Sequence, residues 1–462
     1  MMETHLLNAI SAYLNQGDFT EALKLLHKAE KLHINDSQYW EMLALTHGMS
    51  GNNAGCKNAC LTAIKLNPKN VGTYINLGVA QQNLGLMDEA EKTLKKALSM
   101  DNSHAQINNN LGALYIIQAE YHKAKPYIEK AISVAPAYSD AYSNLGEIQK
   151  YFQETDSAIK SYQKSIKLNP SNVNSYLGLG SLYSYEGNYD KAEYYLNHAI
   201  RLNPYHAESV FNMGFLHYLK KSYNTASQYF IKTTELNPDH QNAKYLLSAI
   251  TGNDSPEKSP EIYIKGLFDH YAETFDEHLI TDLGYNVPAS MHLLFTRHAN
   301  PEQTKNLLDL GCGTGLCGDI FHDMYEHLTG IDLSEKMTAK ANEKNVYDEL
   351  HVEDILKFTN ESPTYYDLVI AADVFIYIGE VSEIINAIHN KQNKHGYFIF
   401  SIEKSNKHNA FHLRETGRYS HNENYIKSIL DQTTYNIITT HCSVIRNEKG
   451  NGIEGVIFLC QK

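Results

Sequence analysis

The chain has 462 residues, 42% of them hydrophobic and 20% charged, which suits a globular protein of two to four domains with real cores. A net charge of -13 at pH 7 argues against a general binder of nucleic acid or of anionic membrane. Six scattered cysteines leave no paired Cys-x-x-Cys zinc units and no dense disulfide framework, no stretch approaches ~18 uncharged apolar residues, and Met1 to Leu14 lacks the basic start and apolar run of a signal peptide, so a reducing cytoplasm is the expected setting.

To about residue 240 the chain repeats itself. Gly78, Gly112, Gly146, Gly180 and Gly214 stand 34 residues apart, and Ala90, Ala124, Ala158, Ala192 and Ala226 keep the same spacing. Pro68, Pro136, Pro170, Pro204 and Pro238 fall in the same frame. A 34-residue period of small residues is the tetratricopeptide signature: two antiparallel helices per unit, with a proline ending the second. Extended backwards, the frame gives seven units, 3–36 through 207–240, the first two degenerate because Ile10 and Ala44 replace the glycine and Cys56 replaces an alanine. Cys56 and Cys60, four residues apart, fit one helix face better than a metal site. Gln241 to about Ile250 reads as a closing helix that solvates the stack.

Such an array is a binding surface. On the first helix of each unit, positions 4, 7, 8 and 11 form the packing face, and positions 2, 6, 9 and 13 the opposite one. Position 6 reads Asn76, Asn110, Asn144 and Asn212, with Gly178 interrupting. A carboxamide both donates and accepts, which suits a peptide bond. The series resembles the asparagine ladder in the repeats of O-linked N-acetylglucosamine transferase, and the resemblance implies a protein or peptide held extended in the groove. Asparagine as a mere solubilising residue on an exposed helix face is the competing reading.

Thr251 to Pro260 (TGNDSPEKSP) is rich in Gly, Ser, Pro and charge and marks a linker between a repeat array over 1–250 and a second domain over 261–462. Phe268 to Leu279 is helix-compatible, with Tyr271 and Phe275 at i and i+4. Leu307 to Leu310 is a short apolar run that breaks into Gly311, Gly313 and Gly315, as a buried parallel strand does before a tight loop. A helix-compatible stretch runs from Leu316 to about Leu328. A second strand then ends at Asp332, about 20 residues past the loop, where a dinucleotide fold keeps its ribose-binding acid. Further strands are expected within Glu349–Phe358, over Tyr366–Val374 together with its exit loop, and over Gly396–Ile402. Asn436–Ile445 and Val456–Cys460 flank a Gly/Asn-rich turn and read as an antiparallel hairpin.

Two cofactors could use the loop. Gly313, Gly315 and Gly318 have the nicotinamide spacing, whereas Gly311, Gly313 and Gly315 preceded by Asp309 resemble motif I of class I S-adenosylmethionine-dependent methyltransferases. The acid at the end of the first strand and the closing hairpin favour the second. Across nearly its whole length the chain resembles bacterial tetratricopeptide-containing predicted methyltransferases. The resemblance implies an α-solenoid of seven helix pairs followed by an α/β Rossmann-like domain with a C-terminal antiparallel hairpin, and S-adenosyl-L-methionine as cofactor. It further implies that Tyr271, on a lid helix, approaches the methionine part, and that Asp309, Gly311, Cys312, Gly313 and Gly315 form the loop. Asp332 and Leu333 would hold the ribose, Asp354 the adenine amino group, and Ile355 the ring, with Ala372 beside them.

Methyl transfer is an in-line displacement, so a protein serves it by alignment and water exclusion, with a base where the nucleophile carries a proton. Ala372-Asp373-Val374-Phe375 stands where nucleobase-amine and glutamine methylating groups carry an Asn/Asp-Pro-Pro-aromatic loop. Asp373 and Tyr377 are candidates to face the acceptor, beside the alternative that they only close the loop. Thr416 to Tyr425 resembles a motif of the same group: His421 is a candidate base, and Arg418 and Tyr419 are candidate substrate or partner contacts, with a helix cap and surface loop as the plainer reading. His408 and His412 are half a metal site without a completing set, and no metal is expected. Two rival readings stand beside the enzyme: a non-catalytic adaptor with a remnant cofactor domain, and a nicotinamide-dependent oxidoreductase.

Overall fold

A computed structural model describes residues 4–253, 255–282, 284–300, 305–448 and 451–462. The chain divides into two compact units, Met1–Lys220 and Lys221–Lys462, and each is described by itself.

The first unit is a stack of helix pairs in the 34-residue frame, for example Val71–Asn83 with Met87–Met100 and Val173–Tyr185 with Tyr189–Leu202. Side chains of Asp18, Asp36, Asn52, Asn70, Asn172 and Asn188 cap helix starts by accepting backbone N–H groups that have no partner inside the helix. The recurring small residues are contact points: a Cβ on Gly78 would sit 2.6 Å from Leu94 Cγ. Ala90, Ala124, Ala158 and Ala192 are fully buried. Each hydrophobic cluster spans neighbouring units, as Ile75, Leu94, Ile107 and Leu111 do, so a unit is completed by the next. The turn inside every frame has one residue in the left-handed region: Gly17, Gly51, Gly85, Ala119, Gln153, Gly187 and, at the start of the second unit, Lys221, with φ between 57° and 78°.

The gap in the asparagine series has a steric cause. Tyr162 occupies the site that Leu94 and Leu196 hold in other repeats, and its hydroxyl donates to Glu147 Oε2 at 2.8 Å. A Cβ at position 178 would lie 2.6 Å from Tyr162 Cε1, so only glycine fits beside that ring.

The second unit opens with helices Tyr223–Leu236 and Gln241–Thr251, then a leading helix, Glu261–Tyr271, and helix Val287–His298. A seven-stranded sheet follows: β1 Asn306–Leu310, β2 His327–Asp332, β3 Glu349–Val352, β4 Tyr366–Ala371, β5 Gln392–Glu403, β8 Asn436–Glu448 and β9 Asn451–Gln461. Its order is β3-β2-β1-β4-β5-β9-β8, parallel through β5, with β9 antiparallel to both β5 and β8. The central strands are apolar on both faces, as a sheet covered on both sides requires. On β5, Phe398 and Phe400 join a core with Ile384, Ile388 and Ile426, while Tyr397 and Ile399 pack with Met291 and Phe295.

The fold is the expected α-solenoid followed by a Rossmann-like domain closed by an antiparallel hairpin. Local departures are instructive. The helix expected over 316–328 ends at Phe321, and the stretch expected to be helical through Leu279 breaks after Tyr271. Thr416–Tyr425, for which a surface loop is the plainer reading of the sequence, instead supplies β7 Tyr419–His421, which pairs with β6 Phe411–Leu413 in a small hairpin. Strand order reverses between β1 and β4, which opens a crevice at their carboxyl ends.

Candidate functional site

The crevice is built from the glycine loop outwards. Gly311, Gly313 and Gly315 have φ of 62°, 54° and 89°, and a Cβ on Gly311 would meet Val374 Cγ2 at 2.8 Å. This loop therefore needs glycine for its backbone angles and for close approach to the β4 exit. The Asp332 carboxylate accepts from Gly313 N–H at 3.0 Å and Ser334 N–H at 2.8 Å. Burial pushes its pKa up to about 6, against the pull of those two amides. Asp354 accepts from Leu356 and Lys357 N–H at 3.0 and 2.9 Å, which also caps helix Ile355–Glu361. The leading segment is tied to this framework: Asp269 Oδ1 accepts from the Ser334 hydroxyl at 2.5 Å, and Asp276 from the Thr314 hydroxyl.

Two adjoining lobes share Phe268, Gly311, Asp332, Asp373 and Tyr377. The first continues along Leu333, Asp354, Ile355 and Lys258. The second is lined by Cys312, Gly313, Thr314, Phe275, Tyr285, Ala372, Arg418 and Arg446. Under it lies a buried charge network. Asp373 sits at φ 56°, a left-handed conformation costly for a residue with a side chain. Its amide donates to Ser401 Oγ at 2.8 Å, Ser401 donates back to Oδ1 at 2.9 Å, and Arg446 Nη1 donates to Oδ2 at 2.9 Å. Arg446, 2% exposed, also holds fully buried Glu403, whose other oxygen takes Arg414. The arrangement aims one carboxylate into a lobe walled by aromatic rings, able to accept a proton or hydrogen bond from a nucleophile placed there.

The crevice thus gathers Gly311, Cys312, Gly313, Asp332, Leu333, Asp354, Ile355, Ala372, Asp373, Tyr377 and Arg418, and leaves other expected residues outside. Asp309 and Gly315 line neither lobe: Asp309 is buried under Tyr347, whose hydroxyl donates to it at 2.7 Å, and burial pushes its pKa up to about 7. Tyr271 is 38% exposed and lies outside, because the helix breaks just after it, and Phe268 and Phe275 take the aromatic places. Tyr419 and His421 are braces rather than contacts. Tyr419 is buried and donates to Pro256 O at 2.7 Å. His421 Nε2–H points between the carbonyls of Ile378 and Gly379 at 2.9 and 3.1 Å, and burial pushes its basicity down to about 4. A neutral, enclosed imidazole of that kind has no path to a nucleophile.

Arg446, Glu403, Ser401 and Tyr285 escaped the sequence reading. The ion pair joins two strands 43 residues apart, and neither residue has a local signature. In the array, Asn144 Nδ2 donates to Asn109 Oδ1 and Asn212 Nδ2 to Glu208 O, each at 2.9 Å. Asn110 Nδ2 is buried with no hydrogen bond among the described residues. Among those residues no three His, Cys, Asp or Glu are grouped to hold a metal, and no helix is long and apolar enough to cross a membrane.

Family models match both parts of the chain. Residues 301–450 match a methyltransferase domain, residues 71–104, 105–138 and 173–206 match a tetratricopeptide repeat, and residues 153–187 match a TPR repeat. A malonyl-[acyl-carrier protein] O-methyltransferase from Anoxybacillus flavithermus is 29% identical over 139 residues, covering 29% of this chain and 50% of that protein. The chain spans half or less of the length of the curated relatives it matches. Among solved structures, a tetratricopeptide repeat protein from Parabacteroides merdae is 18% identical over 54% of this chain and 98% of its own, with a TM-score of 0.45. Magnesium protoporphyrin IX methyltransferase from Synechocystis, solved with bound SAH, is 19% identical over 38% of this chain and 81% of its own, with a TM-score of 0.31.

Proposed function

We propose that this protein, a methyltransferase carrying tetratricopeptide repeats, uses S-adenosyl-L-methionine to methylate an acceptor that enters the lobe above Asp373. One observation carries the reading: the Gly313 amide, the Asp332 carboxylate, Asp354 and Ile355 meet in one crevice at the strand ends. The cofactor would supply a methyl group on a positively charged sulfur. Asp332 keeps lone pairs beyond its two amide bonds, enough to accept from two vicinal hydroxyls. Asp354 likewise has an oxygen left for an exocyclic amine, with Ile355 for the flat face of a ring. Phe268, Phe275, Tyr285 and Tyr377 exclude water from the second lobe, and Asp373 receives the proton-bearing side of the acceptor. The array recruits a protein partner or substrate, and the free buried cysteines suit a reducing cytoplasm.

S-adenosylhomocysteine at about 100 times its dissociation constant should stabilise the second unit by roughly 2.7 kcal/mol. Asp332→Ala should weaken its binding by about 1.5–3 kcal/mol. Stabilisation by NAD alone would transfer the site to hydride chemistry, and stabilisation by neither would favour the adaptor. For the array, replacing Asn76, Asn110, Asn144 and Asn212 by alanine should remove about 0.5–1.5 kcal/mol of partner binding apiece, with a folding loss of about the same size from the Asn144–Asn109 hydrogen bond alone. Equal capture of cellular proteins and equal methylation by the quadruple variant would eliminate the ladder as the recruiting surface.

A further inference from the structure

Residues 255–260 form a strap pinned to the exit of β4. Glu257 O accepts from Gly379 N–H at 2.7 Å and Glu380 N–H at 2.9 Å, and Ser259 N–H donates to Tyr377 O at 3.0 Å. Between these bonds Lys258 faces Ile378 in an antiparallel bridge. The bonds belong to the residues on either side, so Lys258 and Ile378 are the kind of pair that does not bond to each other, and the N–H and C=O of Lys258 turn to the outer edge. Neither group has a hydrogen bond among the described residues. Side chains brace the strap: Tyr419 donates to Pro256 O at 2.7 Å, and the Tyr245 hydroxyl lies 2.6 Å from Ser259 Oγ.

The strap and helix Gln241–Thr251 border a groove of about 740 Å³, lined by Gln241, Lys244 and Ser248 of the helix and by Lys258, Pro260 and Ile262. Lys244 and Lys258 are exposed, and neither forms an ion pair among the described residues. Against them stands one lining acid among those residues, Glu261, so the groove is positive in a chain of net charge -13. Ile262 is 70% exposed and offers an apolar contact beside Pro260. An edge with a free donor and acceptor recognises extended backbone. Alternate side chains of such a segment point to opposite faces, so one set can meet the lysines while the other meets Pro260 and Ile262. Lys258, Ser259 and Glu261 also line the first lobe of the crevice, so groove and crevice share a wall.

We propose that this groove docks an extended acidic segment of a protein partner, added to the strap as a β-strand at Lys258. The surface is separate from the asparagine series of the array. The docked segment runs along the wall of the crevice, and only its delivery of an acceptor rests on the methyl-transfer reading. The probe is a fluorescein-labelled octapeptide of alternating glutamate and valine, titrated into the full chain by anisotropy beside its lysine–valine counterpart. The glutamate peptide should bind at least tenfold more tightly than the lysine peptide, and Lys244→Glu, at an exposed position, should remove tenfold or more of that affinity. N-methylation of the backbone at the glutamates or at the valines, in separate peptides, should weaken binding about three- to tenfold for one set only, because one edge of the segment faces the strap. Hydrogen exchange at the Lys258 amide, fast in the free chain, should slow at saturation. The variant with all four array asparagines replaced by alanine should bind as wild type does. Equal affinity for the two peptides, indifference to N-methylation or unchanged exchange at Lys258 overturns the docking, and loss of binding in the asparagine variant moves the peptide to the array and overturns it too. S-adenosylhomocysteine titrated in parallel separates the two readings: its failure to bind removes the methyl donor and leaves the docked strand standing.

Discussion

Replacing Arg446 by methionine keeps an unbranched apolar stem and removes the charge that joins Asp373 to Glu403. Both arginine and Glu403 are almost completely enclosed, so the carboxylate left behind has little water to turn to. Breaking a buried pair by deleting one partner costs about 3–5 kcal/mol. Glu403 keeps Arg414 on its second oxygen and Asp373 keeps Ser401, which places this case near the lower end. For a unit the size of Lys221–Lys462, each kcal/mol moves the melting temperature by about 2–4 °C, so the expected fall is roughly 6–12 °C. Calorimetry of the full chain would read it in the transition that responds to S-adenosylhomocysteine. Acid should partly rescue the variant. A buried carboxyl with a weakened partner has a folded-state pKa above its unfolded value, so its contribution is full at low pH and is lost as pH rises. Arg446→Met with Glu403→Gln should recover stability but not activity, since Asp373 stays unaimed. A melting temperature within 2 °C of wild type would show that the network is solvated and that burial was given too much weight.

Asp309 has its pKa raised to about 7 by burial, so it favours the fold most below its unfolded pKa and progressively less as pH climbs to 7. Asp309→Asn, which still accepts from Tyr347, should gain on wild type between pH 5 and pH 8 by up to about 4 kcal/mol in urea titrations. His421 has the opposite sense: neutral when folded, it supports stability above pH 6.5 and loses up to about 3 kcal/mol as pH falls toward 4. His421→Gln should flatten that acid limb, and an unchanged limb would assign it to other groups. In the array, Gly178→Asn should restore the asparagine series at a cost of about 1–3 kcal/mol from overpacking on Tyr162, and Tyr162→Leu in the same chain should recover most of it, both read by denaturant midpoint.

What could be read in advance followed from periodicity and from backbone need. The 34-residue recurrence of Gly78 and its counterparts disclosed the helix pairs, since Gly78, Gly112, Gly146 and Gly180 each admit a large side chain from the partner helix. Gly311, Gly313 and Gly315 disclosed the loop because three left-handed residues in five leave little other choice. Contacts across long separations left no trace. Arg446 looks like any charge near a hairpin turn until β5 brings Glu403 beneath it. The reading of Tyr271 failed for a local reason: the helix ends there, so the i and i+4 relation with Phe275 does not exist, and the lobe instead receives Phe268. Tyr419 and His421 carry the chemistry of a binding motif, and burial turned both into scaffolding.

The left-handed turns of the array have a mechanical consequence. Four of the seven use glycine; Ala119 and Gln153 fall in consecutive repeats and carry a side chain into that conformation, at about 1–2 kcal/mol each. A stack whose members touch only their neighbours cannot spread such a load, so it stays where it arises. Ala119 and Gln153 therefore make a pair of loaded joints in neighbouring repeats, and Lys221 makes a third. Asn110 and Asn144 lie on the first helices of those same two repeats. A segment laid across both would act as a splint over the joints, and its arrival would be felt as stiffness along the array before any side chain changed its place.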